Sequence, residues 1–285
     1  MKSLFIFGVW GDDYIARFLS YCLKSTIEAI KNIDNPNNPT IWIYTNTKDF
    51  PKFGDLEVYR NVGNGIDIQL KVLPLINSKS KYAQLAKVHS EAIYVLDQFD
   101  CIFLGYADLI FSKNSYKFAI DKIRNGFDVV YALPLPVDEN IFLHNTKSLG
   151  FGSAAGISEG LMQKLMLKSL GRTTISTEVS NPSSIIRSFC SWKSNCCSIL
   201  FRSHHLHPVA ISTRRKDIAL NIQHESTLDV EFNEKIGALN PCIYVVKSGF
   251  EISVVGLHPD EASINYYDES LSLKMPHQYA TFQKE

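Results

Sequence analysis

The chain has 285 residues, of which 45% are hydrophobic and 20% are charged, as is ordinary for a globular protein with a sizeable core. Its 29 basic and 29 acidic side chains balance, so no net field favours nucleic acid or an anionic membrane as a partner. No apolar run approaches the roughly 20 residues that a membrane span requires.

Buried strands and helices alternate through the first half of the chain. Apolar runs predict strands at residues 4–7, 41–44, 68–75, 99–108 and 129–132. The 3.6-residue period predicts helices over 82–96 and 115–123, and a first helix capped by Asp12 or Asp13. Strands that are apolar along their whole length are typical of a parallel sheet with both faces covered. We therefore predict an α/β fold with a Rossmann-type, mostly parallel sheet covered by helices on both faces.

Beyond residue 132 the pattern is less regular. Pro134 and Pro136 predict a loop, residues 160–170 a helix, and residues 243–246 and 252–255 two late strands. No linker or repeat divides the chain. We expect a single domain over residues 1–285 with an irregular C-terminal lobe.

The predicted strand over residues 99–108 ends in an acidic residue, Asp108. Open α/β sheets bind ligands outside the carboxyl ends of their strands. A carboxylate at this position can hold a divalent metal and, through it, a diphosphate. The alternative is that Asp108 only caps the turn into the next helix.

Two further turns are expected at the same edge of the sheet. Trp10 and Gly11 follow the first strand, where a glycine-rich turn can approach a phosphate or a base closely, although neither GxGxxG nor GxxxxGK[ST] is present. Thr45 and Asn46 follow the second strand, with Asp49 close behind. These side chains can bind a base or a ribose, or they can simply form turns.

A histidine cluster is the second unusual feature. Arg202 precedes His205 and His207, which are two residues apart and would lie on one face of a strand. Paired imidazoles beside an arginine can bind phosphate or a metal, or carry protons near neutral pH. A structural role is the alternative.

Three more side chains are candidates for the chemistry. Asp229 and Glu231 would lie on one face of an extended segment, where either could act as a general base or a metal ligand; an exposed edge strand is the alternative. His258 ends a late predicted strand and is a further candidate metal ligand.

The six cysteines do not form a recognisable metal or disulfide pattern. Cys22 and Cys101 lie on apolar segments, and no CxxC spacing is present. A reducing cytoplasm is therefore the expected location.

The order of segments resembles the GT-A glycosyltransferase fold over residues 4–170, and more loosely as far as residue 258. In that fold the first two strands hold a nucleotide-sugar, and a DxD motif after a buried strand coordinates the metal on its diphosphate. The corresponding residues here are Tyr106-Ala107-Asp108, which keep only the last acid. The resemblance implies a nucleotide-binding half over residues 1–132 and an acceptor-binding half over 133–285.

The chain is also similar to a group of uncharacterised bacterial proteins that have no settled activity. The shared pattern consists of Val9-Trp10-Gly11, Tyr14, Asp108, Ser112, His205-Leu206-His207-Pro208 and Thr227-Leu228-Asp229. Its co-occurring residues favour one common site more than any particular chemistry.

Together these resemblances imply a glycosyltransferase that uses a nucleotide-sugar donor and a hydroxyl acceptor, a bacterial surface glycan being one candidate. The implied roles are nucleotide binding by Trp10, Gly11, Thr45 and Asn46; Mg²⁺ or Mn²⁺ binding by Asp108 and His258; diphosphate binding by Lys87, Arg202 and His205, with His207 as a catalytic group beside them; and general-base catalysis by Asp229 or Glu231. The alternatives are a nucleotidyltransferase of similar architecture and a non-catalytic ligand-binding protein on a degenerate transferase fold.

Overall fold

A computed structural model describes residues 1–34, 37–63, 65–73, 81–171, 174, 190–194, 198–203, 207–222, 228–258 and 278–283. The strands in these ranges are β1 (Ser3–Gly8), β2 (Thr40–Thr45), β3 (Asp67–Val72), β4 (Cys101–Gly105), β5 (Leu109–Phe111), β6 (Val129–Ala132), β7 (Pro134–Asp138), β8 (Cys190–Ser194), β9 (Ser198–Ser203), β10 (His207–Ser212), β11 (Ile243–Val245), β12 (Val254–His258) and β13 (Gln278–Gln283).

The α-helices of the same ranges are α1 (Asp12–Arg17), α2 (Leu23–Lys31), α3 (Leu56–Val62), α4 (Lys81–Ser90), α5 (Ser115–Arg124), α6 (Glu139–Ser148), α7 (Glu159–Lys168), α8 (Lys216–Ala219) and α9 (Leu228–Gly237). A π-helical turn, Phe18–Cys22, joins α1 to α2. Short 3₁₀ helices cover Phe50–Phe53, Glu91–Gln98 and Leu220–Ile222. No helix of the described ranges is long and apolar enough to cross a bilayer.

Seven strands form the central sheet in the order β11-β6-β10-β4-β1-β2-β3. All neighbours are parallel except β10, which runs antiparallel to both β4 and β6. Helices cover both faces, since Phe7 contacts Phe18 of the π-turn on one face while Gly8, the next residue, faces Leu85 of α4 on the other. The predicted α/β class with a mostly parallel sheet is confirmed.

Two smaller sheets accompany the central one. The order is β5-β12-β7 in one and β13-β9-β8 in the other. Strands β10 and β11 come from beyond residue 132 yet pair with β4 and β6 of the central sheet. The division into halves at residue 132 stays a prediction.

The structure adds one helix to the prediction and corrects one predicted loop. The charged stretch between β2 and β3 contains α3, which the Tyr59 hydroxyl anchors by donating to the Leu19 carbonyl over 2.8 Å. The segment that begins at Pro134 forms β7 and not a loop. Proline is tolerated there because β7 is an edge strand of its sheet, and its outer side forms only an isolated bridge, between Val137 and Leu170, beyond the two prolines.

Helix predictions over residues 115–123 and 160–170 are confirmed as α5 and α7, with bounds shifted by one or two residues. The helix predicted over 82–96 is α-helical only as far as Ser90 and continues as a 3₁₀ helix. Tertiary packing decides such boundaries more than periodicity does.

Gly105, the last residue of β4, packs directly against the Phe7 ring, and a Cβ built on it would overlap that ring. The aromatic cluster of Phe5, Phe103 and Tyr116 lies beside it, with the first two rings stacked at 4.4 Å. Since this core is closely packed, there is no space for a side chain at Gly105 unless the Phe7 ring moves.

We expect Gly105→Ala to lower the free energy of unfolding by about 1–3 kcal/mol, the usual cost of overpacking a core. Urea denaturation followed by circular dichroism measures it. Gly152→Ala is the matched control, because a Cβ there meets no atom within 4 Å. Equal stabilities for the two variants would contradict the packing described.

Candidate functional site

The carboxyl ends of β1, β2 and β4 lie side by side because these strands are adjacent and parallel. The turns that follow them hold residues 9–11, 46–49 and 106–108. Strand β10 begins at the same edge, since it runs in the opposite direction beside β4. This edge therefore brings together four segments that are far apart in the sequence.

A buried carboxylate, Asp49, fastens the first two turns together. Its Oδ2 accepts hydrogen bonds from the backbone N–H of Gly11 (2.9 Å) and from Asn46 Nδ2 (2.8 Å). Its Oδ1 accepts from Lys52 Nζ over 2.6 Å, and Lys52 also pairs with Asp12. The turn after β1 is thus held in place by the loop after β2.

The ionised form of the Asp49 carboxyl group is strongly favoured over the protonated form. The hydrogen bond from Lys52, assisted by those from Gly11 and Asn46, lowers its pKa from 3.8 to about 2, although burial opposes the shift. The carboxylate is therefore ionised at every pH at which the protein would work.

Gly11 occupies a position that only glycine fits easily. Its φ of +82° is strained for other residues, and it stands directly before α1 as the N-cap. The prediction that Asp12 or Asp13 caps the helix is therefore wrong, because both residues already lie in the first helical turn. The ring of Trp10 folds back against Gly8 on the α4 face of the sheet.

Thr45 and Asn46 differ in how far their polar side-chain groups are accessible to a ligand. The Thr45 side chain is fully buried at the end of β2, and its hydroxyl has no hydrogen-bond partner within the described ranges. Both ends of the Asn46 amide bond Asp49, with Oδ1 accepting from the Asp49 backbone N–H over 2.8 Å. A ligand would therefore meet Asn46 as part of a fixed loop.

Asp108 lies in a turn and not at the end of a strand as predicted. Strand β4 already ends at Gly105, and the chain turns so that Leu109 N–H donates to the Tyr106 carbonyl over 3.4 Å. Strand β5 follows directly, so Asp108 does not cap a helix either. The Asp108 carbonyl accepts from Leu257 N–H of β12 over 2.9 Å.

The Asp108 carboxylate is half-buried and makes no hydrogen bond or ion pair with the described part of the chain. Unpaired carboxylates are rare away from full solvent exposure, because burial penalises their charge. His258, the exposed last residue of β12, follows the Leu257 that bonds Asp108. The two predicted metal ligands thus lie on adjoining segments.

A further charged pair near Asp108 was missed by the sequence prediction. Arg17 of α1 donates from Nε and Nη2 to the two carboxylate oxygens of Glu139 on α6, over 2.8 and 2.7 Å. This hydrogen bond, with smaller contributions from the charges of Glu139 and Asp108, raises the pKa of Arg17. No sequence signal links the two residues, which are 122 positions apart.

His207 lies in the core. The residue is 1% exposed, and its ring centroid lies 4.8 Å from that of Tyr106. The Tyr106 ring also contacts the ring of His89 on α4, at a centroid distance of 5.7 Å. His207 Nε2 donates to the Leu104 carbonyl over 2.7 Å, because a carbonyl can only accept. Burial on the α4 face separates this imidazole from solvent, so a direct catalytic role for it stays an unsupported prediction.

The remaining predicted residues are not brought to Asp108 by the described contacts. Lys87 pairs with Glu91 at 3.6 Å, and its place two residues before His89 on α4 turns it away from Tyr106. Glu231 pairs with Lys235 at 3.6 Å on α9. Asp229 begins the same helix, so the predicted extended segment is wrong, and residues two apart on a helix do not share a face.

Two other predicted residues are described only in part or not at all. Arg202 belongs to β9, where only the backbone is described, and His205 lies outside the described residues. Across the described side chains, no three His, Cys, Asp or Glu come together as a metal site. Asp108 and His258 would therefore need ligands from a bound substrate or from water.

No family model and no curated protein matches this chain. Among solved structures, a Bacillus anthracis protein described as a glucose-1-phosphate thymidylyltransferase, in complex with a sucrose, is similar over 50% of this chain and 57% of its own, with 13% identity and a TM-score of 0.30. The chain therefore spans less than two thirds of that protein.

Mouse xyloside xylosyltransferase 1 in its apo form is similar over 87% of this chain and 86% of its own, with 8% identity and a TM-score of 0.38. Because both TM-scores are below 0.5, these likenesses carry no weight for the activity of this chain.

The linkage between Asp49 and the two turns predicts a pH dependence. Because the folded-state pKa of Asp49 is lower than its ordinary value of 3.8, its stabilising contribution is complete above about pH 4 and is lost as the pH falls towards 2. We expect Asp49→Asn to be less stable than the parent at pH 7, with the gap in unfolding free energy narrowing between pH 4 and 2. Urea titrations at each pH measure it.

Asp121→Asn is the control, since Asp121 forms an exposed ion pair with Arg124 that contributes little. A gap for Asp49→Asn that stays constant from pH 6 to 2 would contradict the assigned role.

Proposed function

We propose that this protein is a GT-A-like glycosyltransferase that moves a sugar from a nucleotide-sugar to a hydroxyl acceptor. The unpaired Asp108 carboxylate carries the proposal, because it lies at the carboxyl edge of the central sheet, where the turns after β1 and β2 also end. A nucleotidyltransferase would need a basic glycine-rich loop after the first strand, whereas Gly11 is followed by the exposed acids Asp12 and Asp13.

The nucleotide would bind at the two turns that Asp49 fastens together. Trp10 offers an aromatic ring beside Gly8, and its indole N–H makes no hydrogen bond with the described residues. Gly11 and Asn46 lie in the same turns, whereas the predicted third residue, Thr45, is buried at the end of β2 and would support the turn from beneath. Since the Asp49 bonds fix this surface before any ligand arrives, little ordering entropy is lost on binding.

A divalent cation fits this edge if the donor completes its coordination. Mg²⁺ is commonly held by one or two carboxylates together with substrate phosphates and waters, and Mn²⁺ accepts imidazole as well. Asp108 and His258 would supply the protein ligands. Such an ion supplies charge that offsets the negative diphosphate as it leaves.

The proposed reaction forms one bond and breaks one. The acceptor hydroxyl oxygen bonds to the anomeric carbon, while the bond from that carbon to the diphosphate oxygen breaks and the nucleoside diphosphate leaves with the electron pair. The hydroxyl proton passes to a general base, for which Asp229 or Glu231 is proposed from the sequence pattern alone, because no described contact brings α9 to Asp108.

Calorimetry with UDP-, GDP- and dTDP-sugars, each with and without Mn²⁺, tests the proposal. We expect one class of donor to bind, and Asp108→Asn to weaken that binding by about 10–100-fold, the usual effect of removing a charged contact. Asp121→Asn should leave it unchanged, since that side chain lies on the exposed face of α5.

Absence of binding by every donor would refute the proposal. Donor binding without sugar transfer or donor hydrolysis, measured on the same protein, would instead support a non-catalytic binding protein.

A further inference from the structure

Arg17 and Glu139 form the most enclosed ion pair near the candidate site. Their side chains are only 11% and 17% exposed, and the guanidinium meets the carboxylate in a bidentate arrangement. Buried pairs of this kind cost desolvation energy, so they are weak evidence for stability alone. A bidentate partner does, however, fix the plane and direction of an arginine.

The pair leaves part of the guanidinium available. Glu139 uses Nε and Nη2, and Nη1 makes no hydrogen bond with the described residues. The Arg17 guanidinium also lies 5.3 Å from the ring of Tyr14, which is 43% exposed and marks the outer side of the pair. Nη1 thus remains a donor without an acceptor in the described part of the chain.

The helix is distorted where this arginine lies. The π-turn Phe18–Cys22 begins directly after Arg17, and π-turns in helices are often found at functional sites. A π-turn widens the helix, so residues five apart come onto nearly the same face. The backbone brings Asp108 to the same place, because its carbonyl accepts from Leu257 N–H over 2.9 Å, and the next residue, His258, is the register partner of Asp138, directly before Glu139. Consistent with this, the charge of Asp108 contributes to raising the pKa of Arg17 and of the buried Cys22 thiol, although hydrogen bonding and burial are the larger causes.

The charges around Arg17 determine what can bind. Asp108 and Glu139 carry one negative charge each and Arg17 one positive charge, so the cluster has a net charge of −1 and repels an anion on its own. A divalent cation at Asp108 would change the net charge to +1. An anion would then bind together with the cation, next to the free Nη1.

We propose that Arg17 donates from Nη1 to a phosphoryl oxygen of the donor diphosphate, with Glu139 as the residue that positions it. This assignment rests on the proposed function, because it takes the diphosphate to lie at Asp108. The competing explanation is that the pair only joins α1 to α6.

The decisive variant is Arg17→Gln combined with Glu139→Gln. It removes one positive and one negative charge, so the net charge of the cluster is unchanged, and it leaves no buried charge unpaired. Loss of diphosphate affinity would then report a lost contact and not an altered field. Arg17→Lys is the second variant, which keeps the positive charge but loses the planar guanidinium and its bidentate hydrogen bonds. Arg124→Gln, from the exposed pair with Asp121, is the control.

Binding of inorganic pyrophosphate in the presence of Mn²⁺, measured by calorimetry, is the main readout. We expect it to weaken about 10–100-fold in the double variant and less in Arg17→Lys. The nucleoside of the preferred donor serves as the internal control, because it carries no phosphate. Its affinity should change by less than about threefold in every variant.

Equal pyrophosphate affinity in the parent and the double variant would overturn the role of Arg17. Loss of nucleoside binding in parallel with pyrophosphate binding would also overturn it, because that is the result expected if the pair is only structural. A parent protein that binds neither nucleotide-sugar nor pyrophosphate would refute the proposed function and this assignment together. A parent that binds the donor while the double variant keeps its pyrophosphate affinity would refute this assignment alone.

Discussion

Parallel pairing of β4, β1 and β2 is the constraint on which the candidate site depends. Because adjacent parallel strands all end on the same side, three turns that are far apart in sequence become neighbours. The Asp49 carboxylate then fixes two of these turns to each other through Gly11 and Asn46. At that edge Gly105 of β4 is the register partner of Phe7 of β1, and the Phe7 ring packs closely over it.

The two faces of the sheet divide the candidate residues into two groups. Tyr106 turns towards α4, where His207 and His89 are buried with it. Asp108, two residues later, lies near Arg17 and the π-turn on the opposite face, and its backbone bonds the strand that ends in His258. Among the described histidines, His258 is therefore the one whose strand adjoins Asp108, and the Tyr106 group belongs to the packing that supports the edge.

Much of the fold could be predicted from the sequence, since the apolar runs of β1, β2 and β6 and the periodicity of α5 are local signals. The edge position of β7 was not predictable, because proline is acceptable there only after β12 has paired on its other side. The place of Asp108 at this edge of the sheet followed from the buried strand before it, although that strand ends at Gly105 and not at Asp108. The Arg17–Glu139 pair depends on tertiary contacts alone. The burial of His207 likewise depends on α4, which lies more than 100 residues earlier.

A crystal structure of the protein soaked with UDP and with GDP in the presence of Mn²⁺ tests the central claim most directly. The account predicts that one nucleotide is ordered at the carboxyl edge, with its base or ribose at the turns around Gly11 and Asn46 and its diphosphate beside Asp108. A nucleotide bound at another face of the molecule, with the Asp108 carboxylate left facing solvent, would contradict it.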